Sequence, residues 1–368
     1  MDIAINYTNE KIISSSNNCK FSNPNFKFKK IIRENNSFQL NGIFEIFESV
    51  ERKDIYLVSP NYNYNLDIIS INDIQNCKTI VVLKGHKDFV NIVRYFKKDQ
   101  KNEYLISVDK KNVIIIWDIN NNFSNYYTIE NNSSIGKISC VLVYFNNIDF
   151  FSNINNDKYI IFCFNNKCHT KIYSFDKEEK KDIDFTNEYA TNYILIWHNK
   201  NEDLIVLIEL SKGVIYFYNL EDECSLYLQY SLYDLSNNPE INCGFIYNDN
   251  NNDYLIFSSS FGIIYKYDLI NEEKVSEIYL YNCSLNDKKY FPYITQWSYR
   301  YFIVCEKEKR GFLIIDLDSL KIISYVSHNL TRGIICAKKF YHPIHGESLL
   351  TAGKEDDIIL WTNSSGLI

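Results

Sequence analysis

Seven aromatic residues, each closing a short apolar run, recur through this chain at nearly constant spacing. They are Phe47, Phe96, Phe145, Trp197, Tyr247, Trp297 and Phe340, at intervals of 49, 49, 52, 50, 50 and 43 residues. A period near 50 in strand-like sequence marks supersecondary units that are stacked or set in a ring. One such unit has two apolar faces and cannot bury both alone, so its neighbours must cover them. The 30 Tyr and 24 Phe fit pleated, half-buried surfaces. Gly (11) and Pro (5) are scarce, so the turns fall to Asn and Asp, which tolerate the left-handed backbone region.

A second register runs behind the first. After each aromatic comes a β-rich run ending in a hydrophobic residue and then, usually, Asp or Asn. These closures fall at Asp73, Asp118, Asp176, Asn219, Asp268, Asp316 and Thr362. In front of several stand Lys111-Asn112, Lys212-Gly213, Phe261-Gly262 and Arg310-Gly311, where Asn or Gly would supply the positive φ of a two-residue hairpin. Further apolar runs lie before each turn and after each closure. Each unit therefore reads as four strands, a to d. Repeated seven times, this predicts an all-β fold, a seven-bladed β-propeller of four-stranded antiparallel blades. The last unit has no strand d after Trp361, and a strand-like segment at 25–32 precedes the first unit. That N-terminal strand is expected to complete the last blade and remove an exposed sheet edge. Residues 1–24 read as a polar tail and 25–368 as a single domain.

The clearest copy is Leu83–Asp118, which opens with Gly85-His86 and closes with Trp117-Asp118. It resembles a WD40 repeat. The resemblance implies a structural tetrad of hydrogen-bonded side chains: His before strand a, Ser or Thr on strand b, Trp on strand c and Asp in the b–c turn. His86, Ser107 and Trp117 match three members. The Asp position, counted back from Trp117, holds Lys111, and the nearest acid is Asp109. In the last unit Thr351 and Trp361 match, Glu355 stands where Asp is usual, and His328 falls two residues too early. Each link would satisfy a buried polar group that otherwise costs about 1–3 kcal/mol.

The resemblance also implies a role. Such propellers act as non-catalytic protein–protein interaction scaffolds, often as subunits of larger assemblies, and present their d–a and b–c connections to protein or peptide partners. Here the corresponding rim residues are Lys87, Asp88, Phe89, Asp109, Lys110, Thr331, Arg332 and Glu355. The alternative is a reader of a short or modified peptide at the central opening.

Other classes find little support. The net charge of −7 argues against a general nucleic-acid or anionic-membrane surface. The ten Cys are scattered with no CxxC pair, and the N-terminus has no signal-peptide pattern, so a reducing compartment, cytoplasm or nucleus, is expected. No apolar run approaches the ~20 residues of a membrane span. His342-Pro343-Ile344-His345 has an HxxH look, but Pro343 denies it a helix and no third ligand is near. Cys163, Cys168 and His169 lack a fourth zinc ligand. No phosphate loop or nucleophile elbow occurs. Leu330-Thr331-Arg332-Gly333 keeps one of the two arginines of a phosphoinositide-binding propeller motif. No metal, no cofactor and no enzymatic activity are expected.

Overall fold

A computed structural model of the chain describes residues 26–33, 44–98, 101–130, 138–145, 158–164, 169–174, 180–184, 192–199, 204–211, 213–219, 225–232, 240–249, 252–280, 292–305, 311–327, 333–353 and 357–363. For 28, 30–33, 140, 142–145, 158–164, 169–174, 180–184 and 204–205 it describes the backbone alone. Within these limits the chain is all β: the only helix among the described residues is a 3-10 turn, Ile74–Asn76.

The strands pair antiparallel into four-stranded sheets, the blades of a β-propeller. Six blades, not seven, are runs of four consecutive strands. They span 45–83, 90–130, 138–184, 193–231, 241–279 and 293–327, and are called blades one to six. The remaining sheet is composite. Its order is Phe26–Arg33, Ile358–Asn363, Gly346–Gly353, Ile334–His342. The expectation of a seven-bladed propeller is corrected accordingly: six blades are continuous, and a sheet drawn from two distant parts of the chain, in which Phe26–Arg33 pairs with Ile358–Asn363, closes the ring. Phe28 lies opposite Trp361 in that closure, with bulges on either side of Lys30–Ile31. The edge strand Ile358–Asn363 would otherwise offer unpaired backbone groups to any passing strand.

The strands a of successive sheets, with Ile334–His342 taking that place in the composite sheet, touch one another around a closed circuit, so strand a is innermost. Burial follows position. Strand b of blade two, Glu103–Asp109, is buried throughout, because neighbouring blades cover both its faces. Outer strands such as Lys78–Leu83 and Glu273–Tyr279 are mostly exposed.

The aromatics at the end of strand a bridge to the following sheet. Phe47 stacks on Tyr95 of blade two at 4.4 Å, with the rings 2° from parallel. Trp197 donates its indole N–H to Asp253 of blade five at 2.8 Å. Tyr247 donates its hydroxyl to Asp318 of blade six at 3.2 Å. Trp297 meets Phe26 edge-on at 4.5 Å, and Lys339 sits 4.7 Å from its ring centroid. Each such aromatic pair contributes about 0.5–1.5 kcal/mol beyond its buried area. The period of the sequence is thus the period of the blade-to-blade contact.

Polar clamps reinforce these contacts. Buried Glu103, the first residue of strand b in blade two, accepts from Ser49 Oγ (2.8 Å), Val50 N (3.0 Å) and Tyr95 OH (2.7 Å). Arg52 reaches the carbonyl of Ile119 at 3.2 Å and covers the Phe123 ring. At the ring closure, Lys338 Nζ lies 2.9 Å from Glu45 Oε1, and Arg94 Nη1 lies 3.8 Å from Glu45 Oε2. One buried carboxylate therefore links the innermost strands of the composite sheet and of blades one and two.

Three local expectations shift. In blade one, strand c is Leu66–Ser70, and Ser70 opposite Tyr56 takes the place that Asp118 holds opposite Tyr104. Asp73 instead caps the 3-10 turn, accepting from Gln75 N. The b–c connection of blade two has three residues, 110–112, rather than two. Asn112, Gly213 and Gly262 do carry the positive φ (65°, 71° and 69°). Gly311 does not. It is needed because a Cβ there would lie 2.1 Å from the carbonyl oxygen of Val326.

Candidate functional site

The rim of blade two rests on a chain of buried hydrogen bonds. His86, in the connection 84–89, places Nδ1 3.2 Å from Asp109 Oδ2 and Nε2 2.6 Å from Ser107 Oγ. Trp117 Nε1 donates to the same Ser107 Oγ at 2.8 Å. An ionised carboxylate only accepts, so Asp109 fixes the proton on Nδ1 and leaves Nε2 to accept from the serine hydroxyl. All four side chains are buried.

Asp109 thus occupies the carboxylate place that counting back from Trp117 put at Lys111. The strand register explains the difference. Ser107 faces Ile115 and Leu105 faces Trp117, so the residue two beyond the serine ends strand b at the turn. The other oxygen of Asp109 accepts from Lys111 N (2.9 Å) and Val113 N (3.0 Å). Burial works to raise the Asp109 carboxyl. The bonds from His86 and the two amides outweigh it and hold the group below its ordinary value.

This buried chain fixes the surface above it. Asp88 Oδ1 accepts from Phe89 N at 2.7 Å, and Lys110 N donates to the Phe89 carbonyl at 2.9 Å, tying connection 84–89 to connection 110–112. Phe89 is half-buried. Tyr64 meets its ring edge-on at 4.9 Å, and Lys110 Nζ lies 4.9 Å from the ring centroid. Tyr62 and Tyr64, in the b–c turn of blade one, are 49% and 38% exposed, enough to touch a partner. Lys87 is exposed and 3.9 Å from exposed Glu130, a contact worth little in water. The structure therefore gathers Lys87, Asp88, Phe89 and Lys110 on one rim, with Asp109 buried beneath them. It adds Tyr62 and Tyr64, which sequence reasoning missed. Their only signal was two aromatics in an Asn-rich turn, and the neighbour that gives them meaning lies in another blade.

The composite sheet keeps half of this arrangement. Trp361 Nε1 donates to Thr351 Oγ1 at 2.9 Å. Thr351 faces Ile359 as Ser107 faces Ile115, so the place of Asp109 falls to Gly353. Thr331, Arg332, Glu355 and His328 lie outside the described residues. In blade four the same register puts buried Glu209 in the serine place and buried Tyr218 in the tryptophan place.

The HxxH stretch forms a turn. His342 is buried, its Nδ1 accepts from Ile344 N (3.1 Å) and His345 N (3.3 Å), and its Nε2 faces the Ile71 carbonyl at 3.3 Å. Nδ1 is thus engaged within the turn of the composite sheet, and Nε2 joins that sheet to blade one. Lys29, Asp73, Gln75 and His345 line a cleft of about 390 Å³ beside it. Among the described residues no three His, Cys, Asp or Glu side chains gather as a metal site. The side chains of Cys163, Cys168 and His169 lie outside the described residues. Among those same residues no helix is long and apolar enough to cross a membrane.

No protein-family model matches this sequence, and no curated protein matches it.

Proposed function

We propose that this chain is a WD40-type propeller and a non-catalytic protein-interaction scaffold, presenting the rim of blades one and two to a protein or peptide partner inside the cell. One observation carries the reading: the His86–Asp109–Ser107–Trp117 chain holds a half-exposed aromatic, Phe89, between Tyr64 and Lys110. A fixed aromatic anchor rimmed by polar groups is what binding hot spots are made of. The β-propeller architecture is compatible with such a scaffold. Two cations of the innermost strands, buried Arg94 and half-buried Lys338, already face Glu45, which favours the rim over the central opening.

A photo-cross-linking amino acid at position 89 tests this. It should capture a defined partner set in cells. The same group at Tyr279, exposed on the outer strand of blade five, should not. Identical products from both positions, or none from position 89, would overturn the reading.

A further inference from the structure

We infer that the rim of blades one and two takes an acidic, extended segment of a protein partner, with an apolar side chain set among carboxylates; this rests on the scaffold reading above. Four lysines stand here: Lys84 and Lys87 in connection 84–89, and Lys110 and Lys111 in connection 110–112. Lys84, Lys87 and Lys111 are exposed. The acids on the same turns are few. Asp88 is half-buried and accepts from the Phe89 amide, Glu130 is exposed beside Lys87, and Asp109 is buried against His86. The turn 61–65 of blade one brings no charged residue. The surface balance is four cations to two anions, on a chain whose net charge is −7. An acidic partner is drawn to this rim on a chain whose overall charge would otherwise repel it.

The apolar centre narrows the class further. Tyr64 and Phe89 lie beside Lys110, and their rings meet edge to face rather than as an open stack. The Phe89 ring carries the Lys110 ammonium over one face and the Tyr64 edge against it. Single-stranded nucleic acid needs free aromatic faces in series along a basic groove. A single aliphatic or aromatic side chain flanked by carboxylates fits better. It can lie against the ring edges while its neighbours reach Lys84, Lys87, Lys110 and Lys111. The two connections are already tied by the Lys110 N–Phe89 O bond, so little loop ordering is left to oppose binding.

Fluorescence anisotropy on the full chain tests the inference with four labelled probes. They are a short peptide alternating Glu and Ser around a central Leu, its Lys-for-Glu counterpart, its Ala-for-Leu counterpart, and an oligo-dT of similar length. The acidic Leu peptide should bind most tightly and weaken as salt is raised. Reversal at Lys87→Glu with Lys110→Glu should weaken it about tenfold or more. Phe89→Ala, and Ala for Leu in the probe, should each weaken it several-fold, while Lys78→Glu on the outer strand of blade one leaves it unchanged. All variants sit at the surface or half-buried, and thermal melts establish that they fold. An acidic peptide indifferent to the lysine reversals sinks the proposed partner class. A basic peptide that binds and is lost with Phe89→Ala sinks it too, but keeps the rim as the binding face. If no probe responds to Phe89→Ala or Lys110→Glu, the scaffold reading of this rim falls as well. Oligo-dT displacing the acidic peptide would reassign the rim to nucleic acid.

Discussion

Trp197 donates its indole N–H to Asp253 across 2.8 Å, from the innermost strand of blade four to the second strand of blade five. Both residues are buried, and Asn248 donates to the other oxygen of the same carboxylate. Trp197→Phe keeps most of the apolar contact and removes one donor to a buried charge. It should destabilise the fold by about 1–3 kcal/mol. Urea unfolding of Trp197→Phe beside Asp253→Asn measures this. If the double variant lost the full sum of the two single losses, the residues would not be coupled.

The chain from Asp109 to Trp117 predicts both size and pH dependence. Trp117→Ala should cost about 3–5 kcal/mol, as for other buried aromatics, and a melting temperature equal to wild type would contradict the blade's packing. Asp109 is held below its ordinary value in the fold. Its contribution is therefore complete above the unfolded value near 3.8 and is lost as pH falls through the folded one. Asp109→Asn should lower stability at neutral pH and flatten the acid limb below about pH 4. A variant whose acid limb overlays wild type would contradict the assignment.

His342 should give a different pH signature. Burial lowers its tendency to protonate, against the pull of the Ile71 carbonyl. The unfolded chain takes up a proton near 6.5 that the folded chain resists. Stability contributed by neutral His342 is thus full above about pH 6.5 and declines as pH drops below it. Protonation would also set an N–H against the amides of Ile344 and His345. His342→Gln should reduce the slope of unfolding free energy between about pH 6.5 and 5. Wild type and variant with parallel profiles would rule the effect out.

Glu45 holds two cations from two neighbouring sheets. Glu45→Ala leaves buried Arg94 and half-buried Lys338 without that carboxylate and should cost about 3 kcal/mol. Because the group is buried, moderate salt should change the loss little. A loss below about 1 kcal/mol in chemical denaturation would show that the ring closes without it.

The register of Phe47, Trp197, Tyr247 and Trp297 was legible because each residue answers the same demand, covering the step from one sheet to its neighbour. The closing Asp of strand c was legible for a local reason. Asp118, Asp268 and Asp316 each accept backbone amides of the turn that follows. What stayed hidden depends on register or on another sheet. Asp109, named only as the nearest acid, was not given its place because the count ran back from Trp117 through the turn, whereas the strand pairing fixes the place from Ser107. Gly353 in the corresponding place of the composite sheet was missed for the same reason. Tyr64 acquires a role only beside Phe89, and His342 only beside Ile71; neither neighbour is close in sequence.

The composite sheet also sets an order of events. Phe26–Arg33 leaves the ribosome 325 residues (358 less 33) before Ile358, the first residue of the strand it pairs with. At roughly 5–20 residues per second, that strand waits roughly 15–65 s with its hydrogen-bonding edge unclaimed. Six blades can form in sequence during that interval, but the circle cannot be sealed. Newly made molecules therefore spend that interval as an open arc, with the FKFKKIIR strand still to be claimed.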